Sequence, residues 1–278
     1  MRRRRENIIL KTPDQMRKMR TAGLVVAQIH QAIRDAVEPG MTTADLDHVA
    51  LDVLKRNNAT SNFYGYYDYP GQICTSVNEV IVHGIPGNRV LEPGDLVSFD
   101  CGAIVDGWHG DGCFSLVLPG GDPEVTARRQ RLCDRTEKAT WVGVAAMARG
   151  KYVGDIGAAI DDYVVGLNPT PDIVQDYVGH GIGRAMHEDP DVPNYRTHFK
   201  GSKLVPGMVL CIEPQLTEGK ETNVTLEDDW TVVTLDGSDA CHWEYEVALH
   251  EGGVWVLTAP DGGKAGLAPF GITPAPLD

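Results

Sequence analysis

The chain reads as an α+β protein made of two related α-α-β halves that face each other across a pseudo-twofold axis. Three observations predict this. Short motifs recur in the same order along both halves. Gly40, Asp45 and Leu46 return as Gly150, Asp155 and Ile156; His83-Gly84-Ile85 returns as His180-Gly181-Ile182. Leu91-Glu92-Pro93-Gly94, followed by Asp100, returns as Leu204-Val205-Pro206-Gly207, followed by Glu213. Helix-start chemistry precedes β-patterned segments in each half. Asp106-Gly107, set between apolar runs, is the strongest hairpin signal in the chain.

The elements follow in order. Thr12-Pro13-Asp14-Gln15 joins a capping box to proline at the first helical position, and Met16, Met19, Val26, Ile29, Ile33 and Val37 continue it as an approximately helical stripe. Pro39-Gly40 stops that helix. Thr42 or Thr43 caps a second one carrying Leu46, Val49, Val53 and Leu54. Residues 95–118 switch to a β pattern around the Asp106-Gly107 turn. Asp122-Pro123 opens a long helix to about Ala148, and a shorter helix follows at about 153–166. Residues 207–217, 229–236 and 243–257 read as strands. From Ala259 onward prolines and glycines are dense, so the end is expected to be poorly ordered or draped over the body.

Composition narrows the class. A chain of 278 residues that is 42% hydrophobic and 23% charged buries a substantial core, which excludes disorder throughout. A net charge of −14 argues against DNA or RNA as the main partner, because phosphates repel it; Arg2–Arg5 is a local basic run. No apolar stretch approaches the roughly 20 residues of a membrane helix, and no apolar region follows the arginines as a secretory signal would require. Six cysteines, none in C-x-x-C pairs, suit reduced thiols in the cytoplasm.

The chemistry starts at the hairpin. A two-residue Asp106-Gly107 turn places Gly102 opposite Asp111 and Asp100 opposite Cys113, so Asp100 and Asp111 share a face as diagonal neighbours. Leu96, Val97 and Phe99 before them, and Phe114, Leu116 and Val117 after them, are apolar. Two acids in that setting need a cation, unless the face is simply solvated. His180 and His187 lie in one glycine-rich loop, Gly179–His187, where glycines allow close backbone approach to a bound group. The loop has neither the strand–loop–helix context of a dinucleotide site nor an H-E-x-x-H pattern. Glu213 closes the apolar run Val209–Ile212 and needs exposure or a cation. Trp243-Glu244-Tyr245-Glu246 begins a strand with two acids on one face. Taken singly, each of these has an ordinary reading as a solvated acid or a structural histidine. Together, Asp100, Asp111, His180, Glu213 and Glu246 make four carboxylates and one imidazole, a donor set for Mn²⁺, Fe²⁺, Co²⁺ or Zn²⁺. Four carboxylates match the charge of two divalent ions, which favours a two-metal hydrolase.

At these residues the sequence resembles the type I methionine aminopeptidases of bacterial type, which have the pita-bread fold. The carrying motifs are Ser76–Pro86, Asp106–Asp111, Gly179–Arg184, Ile212-Glu213-Pro214 and Tyr245-Glu246. The resemblance implies a curved antiparallel sheet and a single catalytic domain over 12–258, with halves of about 12–121 and 122–258. A basic tail, 1–11, and a Pro/Gly-rich tail, 259–278, flank it. It implies removal of the initiator methionine from nascent chains with a small second residue, by two-metal-activated water attack. Asp111 and Glu246 would bridge the two ions, Asp100 would bind one of them, and His180 with Glu213 the other. Glu213 would shuttle the proton, and His83 and His187 would act on the substrate. Cys74, Tyr66, Tyr69 and Trp230 would line the methionine pocket. Met186 stands where bacterial relatives often have Phe, which implies a softer pocket. The implied partners are nascent N-termini, with no DNA and no membrane, for a monomer in the cytoplasm. Arg2–Arg5 reads as a solvated tail, with contact at the ribosome exit region as the alternative. The competing functions are an Xaa-Pro aminopeptidase or dipeptidase and a non-catalytic binding relative on the same fold.

Overall fold

A computed structural model describes residues 6–277, so the Arg2–Arg5 run lies outside the described residues. Helix α1 (Pro13–Ala36) starts where local chemistry dictates. The Thr12 hydroxyl accepts the Gln15 backbone N–H, and the Gln15 side chain accepts the Thr12 N–H. Its apolar stripe buries Met16, Met19, Val26, Ile29 and Ile33, each contributing about 1.5–3 kcal/mol on leaving water. In α2 (Thr43–Arg56) the cap is Thr42, with Asp45 closing the box.

Strands β1 (Ile73–Val77) and β2 (Val80–Val82) precede the hairpin β3 (Leu96–Val105) and β4 (Trp108–Val117). Helices α3 (Pro123–Arg149) and α4 (Gly154–Val165) follow, with Asp122 capping α3 through the N–H groups of Glu124 and Val125. The second half supplies β5 (Asp172–Ile173), β6 (Gly179–Gly181), β7 (Glu188–Val192), β8 (Val209–Ile212) and β9 (Gln215–Thr217). It continues with β10 (Asn223–Thr225), β11 (Val232–Thr234), β12 (Ala240–His242), β13 (Glu244–His250), β14 (Gly253–Val256) and the short α5 (Lys264–Leu267).

The main sheet is antiparallel, in the order β1-β3-β4-β13-β8-β6-β7, with β14 on β13. Its first three strands come from the first half and the rest from the second, so the β4–β13 pairing is the seam. Two three-stranded sheets, β10-β11-β2 and β12-β9-β5, complete the β structure. The helices pack on one face of the main sheet, where Phe99, Phe114, Leu132, Val144 and Trp243 join one large core.

Two long β segments expected from sequence are divided. The 207–217 segment breaks at Glu213-Pro214, because Pro214 has no N–H to extend the ladder, and β8 and β9 enter different sheets. The 243–257 segment folds back on itself as β13 and β14, with Gly253 at φ +133° opposite His250. The chain after Ala259 is draped and docked. The Arg20 guanidinium donates to the carbonyls of Val256, Leu257, Ala259 and Pro260, Leu267 is fully buried, and the Ala275 N–H donates to the Val254 carbonyl at 3.0 Å. No helix among the described residues is long and apolar enough to cross a membrane.

Candidate active site

The hairpin builds one wall. Asp106 and Gly107 both take positive φ, 49° and 72°, as a two-residue turn requires. The ladder runs unbroken from it, pairing Gly102 with Asp111 and Asp100 with Cys113. Asp100 and Asp111 therefore lie on one face. Strand β13 brings Glu244 opposite Cys113, onto that same face. Strand β8 delivers Cys211 opposite Glu246, and Glu213 just beyond its end. His180 comes from β6, its Nδ1 2.9 Å from the Gly181 carbonyl and its Nε2 3.5 Å from Glu213 Oε1.

The ligand-type atoms of Asp111, His180, Cys211 and Glu244 all lie within 4.8 Å of one another, and all four residues are buried. Glu246 is outside that group, as are Asp100 and Glu213. Glu246 is fully buried, and its Oε2 accepts the Asp111 backbone N–H at 3.2 Å. The resemblance gave the site role to Glu246; the acid of β13 that lies in the four-residue group is Glu244. Both acids share a strand face, so only the pairing of β13 with β4 and β8 separates them.

Electrostatics show what the cluster lacks. Burial pushes the Asp100 carboxyl up to about 7. Asp111 is raised well above the carboxylate range by burial and then by the charges of Glu244, Asp100 and Glu246. Glu213 is raised by burial, then by Asp100 and Asp111; Glu244 by burial, then by Glu213 and Asp100. For Glu246, burial dominates, while the Asp111 N–H and the charges of Lys11 and Arg20 oppose it. Asp100 Oδ1, Asp111 Oδ1, Glu244 Oε1 and Glu246 Oε1 are buried with no hydrogen-bond donor among the described residues. Buried carboxylate oxygens without donors are costly. The available imidazoles do not neutralise them: burial, reinforced by His187, holds His180 at about 3 and therefore neutral. The Cys211 thiol is raised by burial and by the acids around it, so it stays protonated beside them. Oxygen-rich donors with one neutral imidazole fit divalent cations.

Beside the acids lies an apolar cluster, joined to them where Cys74 pairs with Asp100. Phe63, Tyr69, Cys74 and Met186 form a buried cluster, packed by Tyr66, Ile85 and Trp230. Tyr66, Tyr69, Cys74, Met186 and Trp230, which the resemblance gives to a methionine pocket, come together in this cluster with Phe63 and Ile85. The Tyr69 ring sits 5.0 Å from Trp230, and its hydroxyl donates to the Ile73 and Gly84 carbonyls. His187 links this cluster to His180: its Nδ1 is 3.1 Å from the Tyr66 hydroxyl, and its ring is 4.4 Å from the His180 ring. His83 faces the site from beyond β2, its ring 5.9 Å from Trp230 and its backbone at φ +60°, a strained conformation of the kind that collects at functional sites.

His242 is a further site residue that the sequence did not single out. It is buried, its Nε2 has no hydrogen-bond partner, and that atom lies 3.6 Å from Glu213 Oε2. No motif marked it; it ends β12, opposite Gln215, and precedes Trp243. A cavity of about 440 Å³ reaches His180 and His187 under Asn7, Ile9, Glu188 and Asp189. A larger one, about 790 Å³, lies between α1, α3 and the chain's end, lined by Arg34, Trp141, Trp243 and Tyr245; none of the site acids reaches it.

Known proteins match the chain along most of its length. The model of metallopeptidase family M24 matches residues 17–234. A methionine aminopeptidase of Clostridium acetobutylicum is 43% identical over 252 residues, covering 90% of this chain and 98% of that protein. The crystal structure of methionine aminopeptidase from Rickettsia prowazekii superposes with a TM-score of 0.85 at 33% identity, covering 91% of this chain and all of that one. The prolidase of Pyrococcus furiosus, at 18% identity and a TM-score of 0.69 over 90% of this chain, shares the pita-bread fold alone. At this identity and coverage the chain belongs to metallopeptidase family M24 and, within it, to the bacterial type I methionine aminopeptidases, which are metallo-aminopeptidases.

Proposed function

We propose that this enzyme removes the initiator methionine from nascent polypeptides with a small second residue, and that Asp100, Asp111, His180, Glu213 and Glu244 hold two divalent ions. The carrying observation is adjacency. Buried carboxylate oxygens without donors lie beside a buried apolar cluster of Phe63, Tyr69, Cys74 and Met186, and His187 links Tyr66 on that cluster to His180 among the acids. Four carboxylates, those of Asp100, Asp111, Glu213 and Glu244, match the charge of two dications. When bound, such ions polarise a carbonyl and lower the pKa of water.

The residues divide the remaining work. The pocket takes the unbranched thioether side chain against aromatic and sulfur-bearing walls. Tyr66 holds His187 at Nδ1, leaving Nε2 to donate to the oxygen of the scissile carbonyl as charge develops there. His83 stands on the opposite side to assist the leaving amine. Glu213 takes the proton of the attacking water and returns it to that amine. Gln215 Nε2 donates to Glu213 Oε2 at 3.1 Å, which orients the carboxylate. Cobalt, manganese, iron and zinc all suit the donor set. Six free, buried cysteines support a reducing, cytoplasmic setting, and we take the enzyme to act as a monomer.

The test pairs metal quantitation with peptide cleavage under anaerobic Mn²⁺ or Fe²⁺. Two equivalents of metal and release of Met from Met-Ala-Ser, with Ala-Pro-Ser left intact, are expected. Preference for Ala-Pro-Ser would instead establish an Xaa-Pro enzyme, and absence of metal uptake would reject the site.

A further inference from the structure

The loop that carries Met186 and His187 leaves β6 at Gly181 and returns in β7 at Glu188, and those two end residues are ladder partners. Glu188 closes the loop with both carboxylate oxygens. Oε1 accepts the Arg184 N–H at 2.8 Å and the Ala185 N–H at 3.3 Å. Oε2 accepts Lys11 Nζ at 2.6 Å. The side chains of Lys11 and Glu188 are only 3% and 6% exposed. Lys11 is itself held: its backbone N–H donates to the Gly207 carbonyl at 2.7 Å, and it directly precedes Thr12, the cap of α1. A second tie runs alongside, from the Asn7 N–H to Asp189 Oδ2 at 2.7 Å.

The pair packs against the loop backbone. A Cβ on Gly183 would lie 2.6 Å from both Glu188 Oε1 and Lys11 Cε. On the other side, Arg184 donates to the Asp106 carbonyl at 2.8 Å and lies 4.1 Å over the Trp108 ring. The loop is therefore held between the hairpin tip and the segment entering α1. Lysine and glutamate are rarely this buried unless paired. A buried pair is weak evidence for stability, because apolar residues often replace one at no cost; fixing register is its best-attested use.

We propose that the Lys11–Glu188 ion pair is a latch that positions His187 and Met186. Through the Glu188 carboxylate, the segment entering α1 sets the turn that aims the His187 ring at the scissile group and seats Met186 in the pocket. Neither residue touches substrate; both are positioning residues. The inference rests on the roles proposed above for His187 and Met186, and one arm of its test is independent of them.

Lys11→Met strands the Glu188 carboxylate, whereas Lys11→Met with Glu188→Gln leaves a neutral pair that keeps the Oε1 hydrogen bonds. With Mn²⁺-loaded protein and Met-Ala-Ser, Lys11→Met is expected to raise KM and lower kcat, for a loss of tenfold or more in kcat/KM per bound metal. The double variant is expected to recover part of that loss, and Lys11→Arg most of it. In the metal-free protein, amide exchange of residues 183–187 should quicken in Lys11→Met while that of β3 and β4 stays unchanged. Kinetic constants within twofold of the parent, a loss explained wholly by unfolded or metal-free protein, or unchanged exchange at 183–187 would each overturn the latch. If the parent itself does not cleave Met-Ala-Ser, the functional reading fails and the exchange arm still decides the latch.

Discussion

The two halves of the molecule contribute acids to one site by different means. In the first half, Asp100 and Asp111 are placed by a regular hairpin whose ten-residue strands meet at Asp106-Gly107 without a bulge. In the second half, Glu213 follows a broken strand, His180 adjoins a register shift between β6 and β7, and Glu244 arrives on a strand paired with partners distant in sequence. A hairpin carries its register in its turn, so local chemistry is enough. A strand inserted between β4 and β8 takes its register from tertiary packing. Of the two halves, only the first specifies its side-chain geometry locally.

The sharpest test of this contrast is the pair Glu244 and Glu246. Glu244→Ala should prevent binuclear loading and lower kcat/KM by more than the roughly 10–100-fold typical of residues that only support ligands. Metal titration and peptide hydrolysis read it; two tightly held ions in that variant would return the role to Glu246. Next come the histidines, one from each half. His187→Ala and His83→Ala should each lower kcat by about 10²–10³-fold, the range seen on removing one stabilising donor, with metal content retained. Glu246→Gln, which keeps an oxygen for the Asp111 N–H, should cost no more than about tenfold in kcat/KM and leave two ions bound, below the range for residues that support ligands.

The hairpin itself gives smaller effects. Gly107→Ala should cost about 1–2 kcal/mol in urea unfolding, the usual penalty for a side chain in the left-handed region. Under the hairpin, His30 donates from Nε2 to the Gly112 carbonyl, and burial lowers it to about 3. The unfolded chain takes up a proton near 6.5 that the folded chain refuses until about 3, so His30 makes stability fall as pH drops through that window. His30→Gln should reduce the acid slope by up to about 1.4 kcal/mol per pH unit, measured by unfolding at pH 7 and pH 5.

Much of the site was legible because its signals are local. Thr12-Pro13 and Asp122-Pro123 start helices through their own capping groups, and Asp106-Gly107 fixes its turn through backbone conformation. His180, His187 and Glu213 were visible as polar groups set in glycine-rich or apolar surroundings. Glu244 was visible as a second acid on its strand, but nothing local ranks it above Glu246. Phe63 and His242 carried no signal of their own; only the convergence of distant segments gives them neighbours.

The sequence alone therefore determined the element starts, the hairpin register, the surplus of acids and the two loop histidines, because each depends on residues close together in the chain. Tertiary structure decided which acid of β13 faces Asp111 and what surrounds the pocket. It also placed the α1 entry against the His187 loop. Those outcomes depend on strand insertion and burial, where a shift of two residues keeps the same face and pattern but moves the carboxylate along the sheet by about 7 Å.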